Sequence, residues 1–337
     1  MNPQTQISKF YALGKAMAAV ESDKLEAIFQ QAYIKNQWFT PVNVHMAWQS
    51  YIDMLQNDMD EWLSKYDFSA EKKSLKIGIV MAGNIPMVGL HDLICVLSCG
   101  HKALVKLSSN DEVLIPFIIT LLKDISPELY ANVSFVEKLE KYDAVIATGS
   151  NNTATHFEYY FKDVPHIIRR NRNGVAIMYG DETIEEVANL GHDIFDYFGM
   201  GCRNVSKIYL PEGYDIKYLY EPIEQYADIV NHNKYANNYT YQRAIHLMNL
   251  VHIYDNNFLL LKQHEQIASP IGTCHYEYYT DLRKLESELT EKQNEIQCII
   301  STKPLSLLPS FKPGQAQNPK PWDYADGVDT IGWLLGL

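Results

Sequence analysis

Residues 75–111 read LKIGIVMAGNIPMVGLHDLICVLSCGHKALVKLSSND, and this stretch decides the fold. Its apolar spacing predicts a strand over 75–81, a helix over 87–99 that ends at Gly100, and a second strand over 103–107. A helix between two strands joins them in parallel, because the chain must return to the same edge before the second strand begins. The stretch therefore predicts the core of a parallel sheet.

The alternation of strands and helices continues along the chain. Further predicted strands are 133–136, 144–148, 175–179, 206–210, 258–261 and 296–300, and further helices are 113–123, 152–161, one that begins near Asp181, 243–251 and 281–292. Such alternation indicates a doubly wound α/β fold. Residues 1–65 show helical spacing, and five prolines interrupt 303–324, so we expect N-terminal helices and an extended C-terminal tail.

Composition narrows the class of partner. The 337 residues carry a net charge of -12, with no concentrated basic face for nucleic acid, so a small-molecule ligand is favoured. Five cysteines are an odd number without metal-ligand spacing, which predicts no metal site and a reducing compartment. No apolar run approaches the roughly 20 residues of a membrane span, and no signal-peptide pattern is present, so we expect a cytoplasmic protein.

Polar residues follow the predicted strands at the edge where α/β proteins bind ligands. Asn84 lies after the first strand, Lys106 ends the second, and Ser108 and Ser109 follow it. An asparagine amide there suits an oxyanion, and a lysine suits a ribose or phosphate. Each also has a structural alternative, because Asn84 belongs to a turn-forming run and the serines are good helix caps.

A third loop at this edge contains Thr148, Gly149 and Ser150, between a predicted strand and a predicted helix. It falls at the predicted sheet edge in the same way as the two earlier segments. By itself this motif is weak evidence for a ligand-binding loop.

Cys202 is the candidate nucleophile. It lies in the run Gly199-Met200-Gly201-Cys202-Arg203, where small neighbours let a substrate approach and a cation favours the thiolate. The alternative is an inert buried cysteine after a helix end. Arg203 either adjusts the pKa of the thiol or braces the loop. The other cysteines are expected to be structural: Cys95, Cys99, Cys274 and Cys298.

The order of these motifs resembles that of the aldehyde dehydrogenase superfamily. Four runs are similar to the acyl-CoA reductase family, the LuxC-type fatty acyl reductases: GNIPMVGLHD at 83–92, GHKALVKLSSND at 100–111, GMGCRNVSK at 199–207 and DGVDTIGWLL at 326–335. The resemblance covers about residues 70–337. It implies an aldehyde-dehydrogenase-like α/β fold, with a doubly wound Rossmann-type cofactor domain and a smaller α/β catalytic domain.

This resemblance implies four regions. They are an N-terminal helical region at 1–70, a nicotinamide-cofactor-binding domain at 71–180, a catalytic domain at 181–302, and an extended tail at 303–337 that packs back on the core.

By the same resemblance, Cys202 forms a covalent acyl intermediate from a CoA thioester, and a nicotinamide cofactor reduces it to a fatty aldehyde. Asn84 matches the oxyanion-hole asparagine, and Lys106 matches the ribose-binding lysine. Thr148, Gly149 and Ser150 match a loop near the cofactor. NAD-preferring relatives often carry a glutamate where this chain has Ser109. Ser108 and Ser109 do not repel a 2′-phosphate, so we expect NADPH.

Hydrolytic relatives place a water-activating glutamate where this chain reads RRNRNG, at 169–174. The absent acid favours an acyl-cysteine that is protected from water. Arg169, Arg170 and Arg172 are either phosphate ligands or surface residues, and the roles of His91, His101 and His192 stay open.

The leading hypothesis is therefore an NADP-dependent acyl-CoA reductase acting on acyl-CoA or an acyl-protein. The alternatives are an acyltransferase or thioesterase that uses the same cysteine, and an inactive binding subunit. We expect a homodimer or higher homo-oligomer, and an acyltransferase or synthetase is a candidate partner for delivering the acyl group.

Overall fold

The computed structural model describes residues 3–68 and 73–337. The chain forms two compact units. The first unit contains residues up to 171 together with 320–337, and the second contains 172–319. The four-region division at 1–70, 71–180, 181–302 and 303–337 stays a prediction, and its first boundary lies among residues 69–72, outside the described residues.

Helices open the first unit. They are α1 (Pro3–Ala18), α2 (Ser22–Lys35), α3 (Pro41–Asp53), a π-helical segment (Met54–Asp58) and α4 (Met59–Leu63). Thr40 caps α3 by accepting a hydrogen bond from the amide of Asn43, and Pro41 occupies the first helical position, where its missing N–H costs nothing. Phe10 and Leu13 of α1 are buried, as the helical spacing predicts.

A parallel five-stranded sheet forms the centre of this unit. Its strands are β1 (Lys76–Val80), β2 (Lys102–Lys106), β3 (Val133–Phe135), β4 (Ala144–Thr148) and β5 (His166–Arg169), in the order β3-β2-β1-β4-β5. The connecting helices are α5 (Leu90–Ser98), α6 (Leu114–Ile125), α7 (Pro127–Ala131) and α8 (Asn151–Phe161). The strand order reverses direction beside β1, so the carboxyl ends of β1 and β4 flank the crevice where such sheets bind ligands.

The second unit contains a six-stranded sheet in the order β11-β6-β7-β10-β9-β8. Its strands are β6 (Asn173–Ile177), β7 (Val205–Pro211), β8 (Tyr254–Asp255), β9 (Leu260–Gln263), β10 (Thr273–Tyr279) and β11 (Ile296–Ser301). All pairings are parallel except that of β8 with β9. The α-helices are α9 (Ile184–Phe195), α10 (Lys217–Ile223), α11 (Asn233–Met248) and α12 (Leu282–Glu291).

Several elements are absent from the sequence prediction or differ from it, among them β5, β10 and α11. β5 and β10 are absent from it, because each mixes histidine or tyrosine with charged residues instead of forming an apolar run. α11 ends close to the predicted place but begins ten residues earlier than the predicted 243–251, since its Tyr- and Asn-rich first turns show no apolar periodicity. The doubly wound α/β class itself is confirmed.

The C-terminal tail belongs to both units. Residues 303–319 are largely irregular and form part of the second unit, whereas 320–337 belong to the first and include α13 (Thr330–Gly336). Among the described helices, none combines the length and the apolar character that crossing a bilayer requires.

Candidate active site

The carboxyl edge of the first sheet gathers most of the predicted cofactor residues. Lys106 is the last residue of β2 and is paired in register with Val80 at the end of β1. Val80 is also in register with Ala147, so Thr148 ends β4 at the same level. Asn84 follows β1 in the adjoining loop. The side chains of Asn84 and Lys106 are exposed at this edge, as a ligand-binding role requires.

The loop that carries Asn84 is held by two neighbours. Met87 has a left-handed backbone with a φ of 58°. Its amide donates to the Oδ2 atom of Asp111 at 2.7 Å, and its carbonyl accepts from the hydroxyl of Tyr51 at 3.0 Å. Burial raises the pKa of Asp111 to about 6, against the hydrogen bonds that favour the carboxylate. These contacts fix the β1–α5 loop from both sides.

Gly83 is required where this loop meets the loop after β2. A Cβ atom at Gly83 would lie 2.6 Å from the Oγ atom and 2.7 Å from the Cβ atom of Ser108, so any larger residue here would force Ser108 to move. The same Oγ atom accepts a hydrogen bond from the amide of Asn110 at 3.2 Å. Ser108 therefore shapes the loop, while Ser109 is exposed next to it.

Ser150 caps α8. Its Oγ atom accepts from the amide of Thr153 at 3.3 Å and lies 2.9 Å from the hydroxyl of Thr153. Gly149 donates its amide to the carbonyl of Arg169, which ties the β4–α8 loop to the end of β5. Ser150 contributes here by ordering the first turn of α8, whose amide groups and dipole favour a negatively charged ligand at this edge.

Cys202 lies in the second unit, at the amino end of β7, and the residue is partly exposed. The preceding residues Tyr197, Phe198 and Gly199 have φ values of 54°, 58° and 74°. Each non-glycine residue in this left-handed region costs on the order of 1–3 kcal/mol, so the surrounding packing must hold the turn. The ring of Phe198 packs 4.3 Å from that of His232, measured between centroids. The nucleophile candidate thus follows a strained, well-packed turn.

Arg203 braces the loop. Its side chain is buried, its Nε atom donates to the carbonyl of Ala316 at 2.6 Å, and its guanidinium carbon lies 4.7 Å from the ring centroid of Phe311. Of the two roles open for Arg203, these contacts support bracing.

Arg169 is neither at the surface nor exposed toward a ligand, so neither of the two expectations for it fits the structure. It is buried, and its guanidinium donates to both carboxylate oxygens of Asp92, to the carbonyl of Ala325 and to the hydroxyl of Thr330. Burial disfavours its charge, but the attraction and hydrogen bond of Asp92 outweigh this and raise the net pKa of Arg169. Arg170 instead pairs with Glu158 at the surface.

The three histidines whose roles were left open, His91, His101 and His192, have contacts within the protein. His91 Nε2 lies 2.9 Å from the carbonyl of Pro321, its ring stacks on Trp62, and burial lowers its pKa. His101 accepts from the amide of Leu75, and His192 lies 3.3 Å from Asp196.

Asn204 was assigned no role from the sequence, although it lies only two residues beyond Cys202. It is almost fully buried, and its side chain forms three hydrogen bonds around the cysteine loop. The sequence signal was its place in the run GMGCRN, but an asparagine after a glycine-rich turn has many ordinary explanations.

Comparison with known proteins identifies the fold. No family model matches the chain, and no curated protein does. Among solved structures it is similar to an NAD-dependent aldehyde dehydrogenase from Sinorhizobium meliloti, with a TM-score of 0.65, 10% identity, and coverage of 89% of this chain and 70% of that one. It is also similar to a cysteine-to-alanine mutant of aldehyde dehydrogenase C from Pseudomonas syringae with NAD+ and octanal, with a TM-score of 0.64, 9% identity, and coverage of 98% and 86%.

A third similar structure is the Mycobacterium tuberculosis aldehyde dehydrogenase in complex with NAD+, with a TM-score of 0.64, 10% identity, and coverage of 89% of this chain and 73% of that one. At such low identity the likeness concerns the backbone arrangement alone. The fold of this chain is therefore that of the aldehyde dehydrogenases.

Proposed function

We propose that this protein is an NADPH-dependent reductase that converts an acyl thioester to a fatty aldehyde through an acyl-Cys202 intermediate. One observation carries the proposal: a partly exposed cysteine on a strained, anchored loop at the amino end of β7, in an aldehyde dehydrogenase fold. The motifs that resemble LuxC-type reductases support the thioester as substrate.

The first step is a thioester exchange at Cys202. Its thiolate attacks the acyl carbon, the carbon–sulfur bond to CoA breaks, and CoA leaves as a thiol after taking up a proton. One thioester replaces another, so the step has little thermodynamic cost. Asn84 is proposed to donate a hydrogen bond to the oxyanion of the tetrahedral intermediate, since its exposed amide lies on a loop that Asp111 and Tyr51 hold in place.

The carboxyl edge of the first sheet fits a dinucleotide. Lys106 is exposed there for the ribose or phosphate, and the first turn of α8, ordered by its Ser150 cap, suits the pyrophosphate. A reduced nicotinamide bound there would supply a hydride to the acyl carbon. The bond from that carbon to the Cys202 sulfur would then break, which releases the aldehyde and returns the thiolate. Thr148 and Gly149 are proposed to line its path.

This chain has no acidic residue in the segment where hydrolytic relatives carry a water-activating glutamate. Residues 169–174 contain three arginines, two asparagines and a glycine. The buried carboxylate of Asp92 is committed to Arg169. The proposed acyl-cysteine is therefore not exposed to a general base from this segment, which favours reduction over hydrolysis.

Asn84→Ala is expected to lower kcat by about 100-fold or more, with little change in KM, because a donor to the oxyanion acts in the transition state. Steady-state kinetics with a saturating acyl-CoA measures this. Asn57→Ala, at an exposed position in the π-helical segment Met54–Asp58, is the matched control and keeps its rate. A normal kcat in the Asn84 variant would contradict the assigned donor.

Ser109→Glu is expected to change cofactor preference from NADPH toward NADH. A carboxylate at this exposed position repels a 2′-phosphate and accepts from a ribose 2′-hydroxyl. We expect the ratio of kcat/KM for NADPH over NADH to fall at least about tenfold, roughly 1.4 kcal/mol. Ser109→Ala should change the ratio far less. A wild-type protein that strongly prefers NADH would overturn the argument.

The decisive experiment follows NADPH oxidation with a panel of acyl-CoAs and detects the acyl adduct by intact-mass spectrometry. Consumption of NADPH together with an adduct supports the reductase. An adduct without NADPH consumption indicates an acyltransferase or thioesterase, and cofactor binding without either indicates a binding subunit. We also propose that the protein forms a homo-oligomer and that an acyltransferase or synthetase delivers the acyl group, which co-purification and light scattering test.

A further inference from the structure

Asn204 closes the turn that presents Cys202. Its backbone amide donates to the carbonyl of Gly201 at 3.1 Å, and the amide of Gly201 donates to the Oδ1 atom of Asn204 at 2.8 Å. Two hydrogen bonds thus join residue 201 to residue 204 in both directions. Cys202 and Arg203 are the two central residues of this turn.

The same side chain fastens the turn to the end of α9. Its Nδ2 atom donates to the carbonyl of Asp193 at 3.0 Å and to the carbonyl of Asp196 at 2.9 Å. The carbonyl of Asn204 accepts from the amide of Gly174 on β6 at 2.8 Å. The side chain of Asn204 thus forms hydrogen bonds with both its amide protons and its oxygen, and the residue is only 1% exposed.

Asp193 anchors this end of α9 in turn. Its fully buried carboxylate accepts from the amides of Gly314 and Ala316, at 2.7 and 2.9 Å. Ala316 is also the residue whose carbonyl Arg203 holds. The turn, the helix end and the segment at 314–316 are consequently cross-linked by hydrogen bonds on both sides of Cys202.

We propose that Asn204 is the positioning residue of the Cys202 thiol. The inference rests on the proposed role of Cys202 as the nucleophile. Turn amides create a small region of positive potential that favours an anion such as a thiolate, provided the turn is held in one conformation. An error of about 1 Å in the position of a reacting group can cost on the order of 100-fold in rate. Asn204 touches neither substrate nor cofactor in this scheme and acts through the turn.

The test measures iodoacetamide alkylation of Cys202 by peptide mass spectrometry over a pH series, in the full chain. Asn204→Ala is expected to raise the midpoint of the alkylation profile by about one pH unit, because the loosened turn stabilises the thiolate less. The same variant should lower kcat for acyl-CoA reduction by about 10- to 100-fold, while KM for NADPH stays within about twofold.

Two further variants separate positioning from stability. Asn204→Asp keeps the size of the side chain and its acceptor for Gly201, but it places an oxygen against the carbonyls of Asp193 and Asp196, so it should react at least as slowly as Asn204→Ala. Glu286→Ala is the matched control, because Glu286 is 2% exposed and accepts from the amides of Ser306 and Leu307 in the same unit. It should lower the urea midpoint and leave the alkylation profile unchanged.

An unchanged alkylation profile in both Asn204 variants overturns the inference, as does an equal shift in Glu286→Ala. Alkylation requires neither acyl-CoA nor NADPH. If wild-type protein reduces no thioester, the proposed function fails, while the alkylation series still decides whether Asn204 positions the thiol.

Discussion

Cys202→Ala is expected to abolish both the acyl adduct and the reduction of acyl-CoA, with a loss in kcat of at least about 10⁴-fold. The reason is chemical, since an alanine side chain has no atom that can carry the acyl group between CoA and the reduction step. Intact-mass spectrometry after mixing with acyl-CoA, together with NADPH oxidation, measures the two losses separately.

Cys99→Ala is the matched control, because Cys99 and Cys202 are the two cysteines that are not fully buried. Cys99 directly follows α5 in the other compact unit, and its replacement should leave the adduct and the rate intact. Burial raises the pKa of Cys95 and of Cys274, which makes these thiols poor competitors for the acyl group. An adduct that persists in Cys202→Ala would remove the covalent mechanism.

Asp92→Ala is expected to lower the free energy of unfolding of the first unit by about 3–5 kcal/mol. The loss of this carboxylate leaves the Arg169 charge buried without its counterion, and the side chains of the pair are 4% and 10% exposed. Arg169 also donates to Ala325 and Thr330, so the C-terminal segment should become more susceptible to proteolysis. Urea denaturation followed by circular dichroism measures the free energy of unfolding. Limited proteolysis measures the susceptibility of the C-terminal segment.

Glu158→Ala provides the comparison at the neighbouring arginine. Glu158 pairs with Arg170, and both side chains are 47% exposed, so water screens the pair and its loss should cost no more than about 1 kcal/mol. Equal effects of the two substitutions would show that burial is not what makes the Asp92 pair important.

The sequence alone predicts much of the sheet in the first unit. The strands at 75–81, 103–107 and 144–148 are apolar runs bounded by turn residues, and the structure has strands there. Their order along the chain places Lys106 and Thr148 at strand ends and Asn84 after one, which in a parallel sheet means one edge. Local patterns suffice here, because each strand is buried by the helices that alternate with it.

Other features depended on contacts between distant parts of the chain. β10 is the clearest case, since Thr273 and His275 are buried in a strand that pairs with β7 and β9, and its mixed polar and aromatic run gives no local sign of this burial. Arg169 also depends on a distant contact. An arginine in a polar run gives no sign that Asp92, 77 positions away in the sequence, will pair with it.

The chemical identity of the candidate site was thus determined by the sequence: a cysteine between small residues, an asparagine and a lysine after two strands, and no acid at 169–174. Only the tertiary structure decided how these groups are held. Hydrogen bonds from Asn204 to the end of α9 and from Arg203 to Ala316 join residues that are separated in the chain. Such bonds depend on where the folded backbone places each carbonyl, and no local sequence pattern specifies that.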